Sequence, residues 1–168
     1  MTLSGLLEER KSHFLFTQTF HAVQYFIYLR TGQSVPNDGI DGFRGQRVGY
    51  LKESLYLSKL LVAHPAIEAT PLENMEALAL ALLRGDLEAV IDTYSLEHWR
   101  ANHGVLGFAP MRMLSGTQTN LVLSIRNDWP ELVEILNKVL AAITQDEMAE
   151  LYRRWFGQDY LSRIGSRA

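Results

Sequence analysis

Residues 47–93 read RVGYLKESLYLSKLLVAHPAIEATPLENMEALALALLRGDLEAVIDT, and the order of apolar periods in this stretch decides the fold. Residues 47–51 alternate as a half-buried strand does, the alternation breaks before Ser54, and residues 55–64 are apolar at helical spacing. After Pro65 a short strand is predicted over 67–72. Asn74 then caps a second helix in which Met75, Leu78 and Leu82 recur at helical spacing, and Gly85 stands as the residue after its last turn. A third strand is predicted over 87–91. Strands alternating with helices of this length define an α/β fold, with a parallel sheet and right-handed crossovers.

The first strand–helix junction is also the first candidate site. A helix that opens at the carboxyl edge of a parallel sheet presents unpaired backbone N–H groups, and ligands collect at that edge. Ser54 has a second reading there as an ordinary N-cap. Asp92 and Thr93 fall at the end of the third parallel strand, beside the end of the first, where ligand contact and helix entry are both open. Asp86 and Glu88 are read as solvated strand flanks rather than as an acid–base pair.

Outward from this unit, FHAVQYFIYL at 20–29 is dense in aromatic and β-branched residues and is read as a strand. TGQSVPNDGIDGFRGQ at 31–46 has the composition of a loop. On the other side, Ser95 is expected to cap a short helix running to His103 and closed by Gly104. Residues 105–114 are read as irregular or extended, and NLVLSIRN at 120–127 as another strand. Two helices follow, each with capping-box spacing at its start, Asp128 to Glu131 and Thr144 to Glu147. Leu132, Ile135, Leu136, Val139, Leu140 and Ile143 form one apolar stripe.

Composition narrows the function classes. The chain has 168 residues, 47% hydrophobic and 21% charged, which is normal for a globular protein. A net charge of -3 leaves no basic excess for phosphates, so nucleic acid is not an expected partner. The longest apolar runs fall short of the roughly 20 residues that span a bilayer. The residues 1–11, MTLSGLLEERK, lack a basic n-region followed by an apolar h-region, so no export signal is read there. With no cysteine there is no thiolate chemistry. No G-x-S-x-G, H-E-x-x-H, P-loop or G-x-G-x-x-G occurs, and His98 and His103 are five apart rather than the three or four that align metal ligands. No metal, cofactor or catalytic residue is expected.

The order and spacing of several motifs resemble one family. They are FRGQRVGYLKES at 43–54, ALALLRGDLEAVI at 79–91, RNDWPELVEILNKVL at 126–140, YRRWF at 152–156 and LEERKSHFLFT at 7–17. Together they are similar to the bacterial solute-binding proteins of family three, most of all to the venus-flytrap versions attached to sensor histidine kinases and related membrane signalling proteins. The resemblance covers nearly the whole chain. It implies a type II periplasmic-binding fold, with a complete lobe two at 32–115 and hinge strands at 20–31 and 116–127. Residues 1–19 and 128–168 would form a partial lobe one whose N-terminal part is missing. The apolar stripe of the last helices would then be exposed and invite a homodimer or a domain swap.

Site residues follow from the resemblance one at a time. Arg10 matches the arginine that binds a ligand carboxylate, which suits the bidentate geometry of guanidinium. Ser54 and the backbone of Leu55 match the lobe-two helix start that takes the same carboxylate across an interlobe cleft. Thr93 matches the position where amino-acid binders place an aspartate on the ligand ammonium, and Asp92 stands one residue early. Thr93 cannot neutralise an ammonium, Glu53 replaces a common Gly, and Gly5 replaces a Ser or Thr. The expected ligand is therefore a small-molecule carboxylate or amino-acid-like ligand, a carboxylate without an ammonium fitting better, sensed by an extracytoplasmic, periplasmic domain that signals to an attached membrane protein. The alternatives are a receptor for an ABC transporter, a non-binding structural lobe, and a small-acid dehydratase-like enzyme.

Overall fold

The computed structural model describes residues 2–5 and 12–156. The strands are β1 (Thr2–Gly5), β2 (Phe14–Phe16), β3 (His21–Arg30), β4 (Arg47–Leu51), β5 (Glu68–Leu72), β6 (Ala89–Thr93) and β7 (Phe108–Arg126). The helices are α1 (Leu55–Val62), α2 (Met75–Arg84), α3 (Ser95–Asn102), α4 (Pro130–Ala142) and α5 (Gln145–Phe156), with a 3-10 turn at Gly39–Phe43. The chain divides into two compact units: Met1–Val23 with Gln118–Leu161, and Gln24–Thr117. Each boundary falls inside a strand, one in β3 and one in β7.

In the second unit β4 pairs in parallel with both β5 and β6, so the strand–helix–strand–helix–strand reading yields the parallel ladder it implies. β3 joins β6 antiparallel, with Tyr25 opposite Thr93 and Phe26 opposite Asp92. The side-chain period of two then separates the sheet into two buried faces. One carries Tyr25, Ile27, Val48, Tyr50, Ala89 and Ile91, closed by Leu57 and Leu61 of α1. The other carries Phe26, Tyr28, Val90 and Asp92, under α2 and α3.

Gly49 is required on that second face. A Cβ there would come within 2.4 Å of Leu87 Cδ1 and 3.1 Å of Leu78 Cδ2, so its absence lets α2 lie close against β4. Leu78, Ala79 and Leu82 of α2 are buried as a result.

Three expectations are corrected. β6 begins at Ala89 rather than at 87, because Gly85 adopts φ 82° and the N–H groups of Asp86 and Leu87 bond back to Ala81, which extends the helix cap. Residues 105–114 and 120–127 are not separate segments but feed one strand, β7. β1 and β2 pair with residues 121–126 of β7. Gly116 within β7 has φ 75°, a backbone conformation that favours glycine. Finally, Asp128 does not cap α4; it pairs with Arg126, and Trp129 occupies the cap without a side-chain bond.

In the first unit β1 and β2 flank the end of β7, both antiparallel. The capping box at Thr144 does form: Glu147 N donates to Thr144 Oγ1 at 3.2 Å, and Thr144 N donates to Glu147 Oε2 at 2.9 Å. Tyr152 of α5 and His21 Nδ1 are hydrogen-bonded at 2.6 Å, and burial lowers the His21 pKa and raises that of Tyr152. Gln18 N donates to Asn137 Oδ1 at 2.8 Å, holding α4. Neither α4 nor α5 has a buried residue.

Candidate functional site: the carboxyl edge of the parallel strands

The β4–α1 junction follows the reading of RVGYLKES closely. Ser54 leaves the helical region at φ −78°, ψ 90°, and its Oγ accepts from Leu57 N at 3.3 Å. Ser58 N to Ser54 O, at 2.9 Å, is the first bond of the helical ladder. Leu55 therefore stands ahead of that ladder, with its side chain 52% exposed. Glu53 is exposed beside it, and Lys52 is tied to Glu73 at 2.7 Å.

β6 ends at the same edge, next to β4 in parallel register. Thr93 is half-buried, and both its polar groups are engaged. Its Oγ1 accepts from Ser95 N at 3.2 Å and its carbonyl accepts from the Tyr28 hydroxyl at 2.7 Å. The helix entry that Ser95 was expected to cap is thus supported by Thr93, two residues earlier, while Tyr94 holds the cap position without a side-chain bond.

Asp92 differs from Thr93 in kind. It is 3% exposed, on the face covered by α2 and α3, and its pKa is raised to about 7, first by burial and against a backbone hydrogen bond from Thr93. Ser54, Leu55 and Thr93 come to one edge of the sheet; Asp92 turns inward from it. Asp86 is exposed, and Glu88 accepts from Arg47 N at 3.2 Å ahead of the strand. Arg10 lies outside the described residues.

Two residues that sequence reasoning passed over border this edge. Tyr25, opposite Thr93 in the ladder, stacks on Tyr56 of α1 with ring centroids 4.7 Å apart and an interplanar angle of 8°. The aromatic density of residues 20–29 was the available signal, and it was spent on assigning a strand.

Two concavities elsewhere in the unit are separate from this edge. One of about 320 Å³, lined by Leu29, Phe43, Gln33, Gln46 and Glu88, lies at the amino ends of β4 and β6. The other, about 270 Å³, runs between α2 and α3 along Leu80, Leu83 and Trp99. Among the described residues no cluster of three or more His, Asp or Glu side chains is placed to hold a metal ion, and no helix is long and apolar enough to cross a membrane.

The parallel three-strand unit with β3 running against it belongs to a mixed α/β fold of the type II periplasmic-binding class, as the structural matches show. The chain belongs to the bacterial extracellular solute-binding proteins, family 3, whose model matches residues 3–158. It is 26% identical over 153 residues to the virulence sensor protein BvgS of Bordetella pertussis, covering 89% of this chain and 12% of that protein. It is 25% identical over 156 residues to the sensor protein EvgS of Escherichia coli K12, covering 88% of this chain and 12% of that protein. The chain thus spans about an eighth of the length of these relatives.

Among solved structures, the periplasmic VFT2 domain of B. pertussis BvgS matches with a TM-score of 0.75 at 22% identity, over 91% of this chain and 65% of that one. A mutant of ArgBP from T. maritima matches with a TM-score of 0.72 at 16% identity, over 92% and 67%. The GluR0 ligand-binding core from Nostoc punctiforme, in complex with L-glutamate, matches at 0.68 and 21%, over 91% and 70%. These matches show that the chain carries the fold of this solute-binding family.

Proposed function

We propose that this chain is an extracytoplasmic sensor domain that recognises a small carboxylate at the carboxyl edge of β4 and β6 and passes the occupied state to a membrane signalling protein. The observation that carries the reading is the β4–α1 junction, where a Ser-capped helix start supplies a backbone N–H and the positive end of the α1 dipole to an anion. Thr93 at the neighbouring strand end and the stacked Tyr25 and Tyr56 add a neutral wall that hydrogen-bonds and packs without offering a counter-charge to an ammonium. Arg10 supplies the guanidinium for the carboxylate, on the strength of its match to the family pattern. Signalling follows if solute binds one arrangement of the protein better than another. The similarity to BvgS and EvgS favours a sensor over a transport receptor.

A thermal-shift screen with simple carboxylates, L-glutamate and L-arginine tests the site. A carboxylate is expected to raise the melting temperature of the wild type, and Arg10→Ala and Ser54→Ala are each expected to abolish most of that rise. Retention of the full shift in both variants would sink the assignment. The sequence of the gene beyond this segment separates sensor from transport receptor: a membrane span leading into a kinase or cyclase is expected.

A further inference from the structure

The β6–α3 junction contains a group that anion recognition at the edge leaves unexplained. Asp92 Oδ2 is buried without a hydrogen-bond partner, and it alone has that status among the buried side-chain atoms of the described residues. Phe26 lies directly opposite Asp92 in the β3–β6 ladder and packs edge-on against Tyr94, with ring centroids 5.6 Å apart. Both rings are almost fully buried. A charged carboxylate in such a position is strongly disfavoured, whereas the neutral acid is tolerated.

The titratable groups around it supply no counter-charge. Tyr28 on β3 is a buried phenol whose hydroxyl is committed to the Thr93 carbonyl. Tyr94 follows in the turn. On α3, Glu97 is bound in a bidentate pair by Arg100, at 2.6 and 2.7 Å, and a further Arg100 nitrogen donates to Val105 O at 2.9 Å. His98 is turned to Asn102. From α2 the buried residues are Leu78, Ala79 and Leu82, none of which titrates.

The connection to Thr93 is direct. Thr93 follows Asp92 directly in the chain; its carbonyl is held by Tyr28, and its Oγ1 sets the first turn of α3. We propose that Asp92 is a positioning residue whose protonation sets the β6–α3 junction, so that the protein binds solute better with Asp92 as the neutral acid than as the carboxylate. The proposal rests on the reading of Thr93 as part of the solute-binding edge. Ionisation places a bare charge at the partnerless Oδ2, which is relieved only by admitting water, and this loosens the turn that fixes Thr93. Burial puts the Asp92 pKa at about 7, within the range where such a change has consequences.

The test has two arms on the full 168-residue chain. In the first, two-dimensional NMR follows the amides of Thr93, Tyr94 and Ser95 from about pH 5.5 to about pH 8.5. A shared titration near neutrality in the wild type, absent in Asp92→Asn, is expected; flat wild-type amides overturn the proposal without any variant or ligand. In the second, calorimetry measures acetate and succinate, carboxylates without an ammonium, at both ends of that range; absence of binding by both at either pH overturns the proposal. Affinity is expected to fall roughly ten-fold towards high pH in the wild type and to stay level in Asp92→Asn. If Thr93→Ala weakens binding but wild-type affinity is independent of pH, the proton coupling is overturned and the site reading survives. If Thr93→Ala leaves binding intact, the site reading falls and the coupling to solute falls with it.

Discussion

Asp92 and Ser54 show how one position can answer to two demands. Ser54 caps α1 through Leu57 N, so Ser54→Ala is expected to cost about 1 kcal/mol in a urea melt, besides its effect on solute binding. Asp92 has the opposite character, because its burial opposes its charge. With a folded pKa of about 7 against 3.8, the folded state holds a proton that the unfolded state has released across that interval. Stability from this group is therefore full below the unfolded value and is lost as pH rises through the folded one. The difference in unfolding free energy between wild type and Asp92→Asn is expected to move against the wild type by on the order of 3–4 kcal/mol from about pH 4 to about pH 8, read from denaturant melts. A constant difference would show that Asp92 ionises freely. Sequence alone placed both residues at the sheet edge and turned Asp92 to the other face, but strand alternation could not say that this face would leave Asp92 only 3% exposed.

At the scale of elements, the β4–α2 contact depends on Gly49 and the start of α5 on a capping box. Gly49→Ala places a methyl 2.4 Å from Leu87 Cδ1, and the side chains around it are themselves buried. A loss of about 1–3 kcal/mol is expected from its thermal melt. Thr144→Ala removes one half of the reciprocal bonds with Glu147 and is expected to cost about 1 kcal/mol and some helicity by circular dichroism. The Glu147 pKa is lowered by those bonds, so its contribution is present above the usual carboxylate range and is lost as pH falls through the lowered value. The Thr144 box was legible because its partners are three residues apart on one chain segment. The similar spacing at Asp128 misled, because Arg126 competes for the same carboxylate.

Over the described residues, exposed apolar side chains occur on both units, with Val62 and Leu106 on the second and a set along α4 and α5 on the first. Ile135 is 56% exposed, Val139 57%, Trp129 55% and Trp155 59%, on or beside two helices that bury no residue. A face of this kind promotes association. Light scattering of the chain is expected to show concentration-dependent self-association, reduced by Ile135→Glu with Val139→Lys; a monomer at all concentrations would contradict it. By itself the sequence determined the α/β class, the parallel order of β4, β5 and β6, the caps at Ser54, Asn74 and Thr144, and the family. Those features are written in local periods and in spacings of three or four residues. Tertiary structure decided the rest: that residues 108–126 form one strand, that Tyr25 stacks on Tyr56, and that Asp92 is buried while Thr93 is only half-buried. Each of these turns on which distant residue lies opposite another across a ladder or under a helix, and a periodicity within one segment does not contain that information.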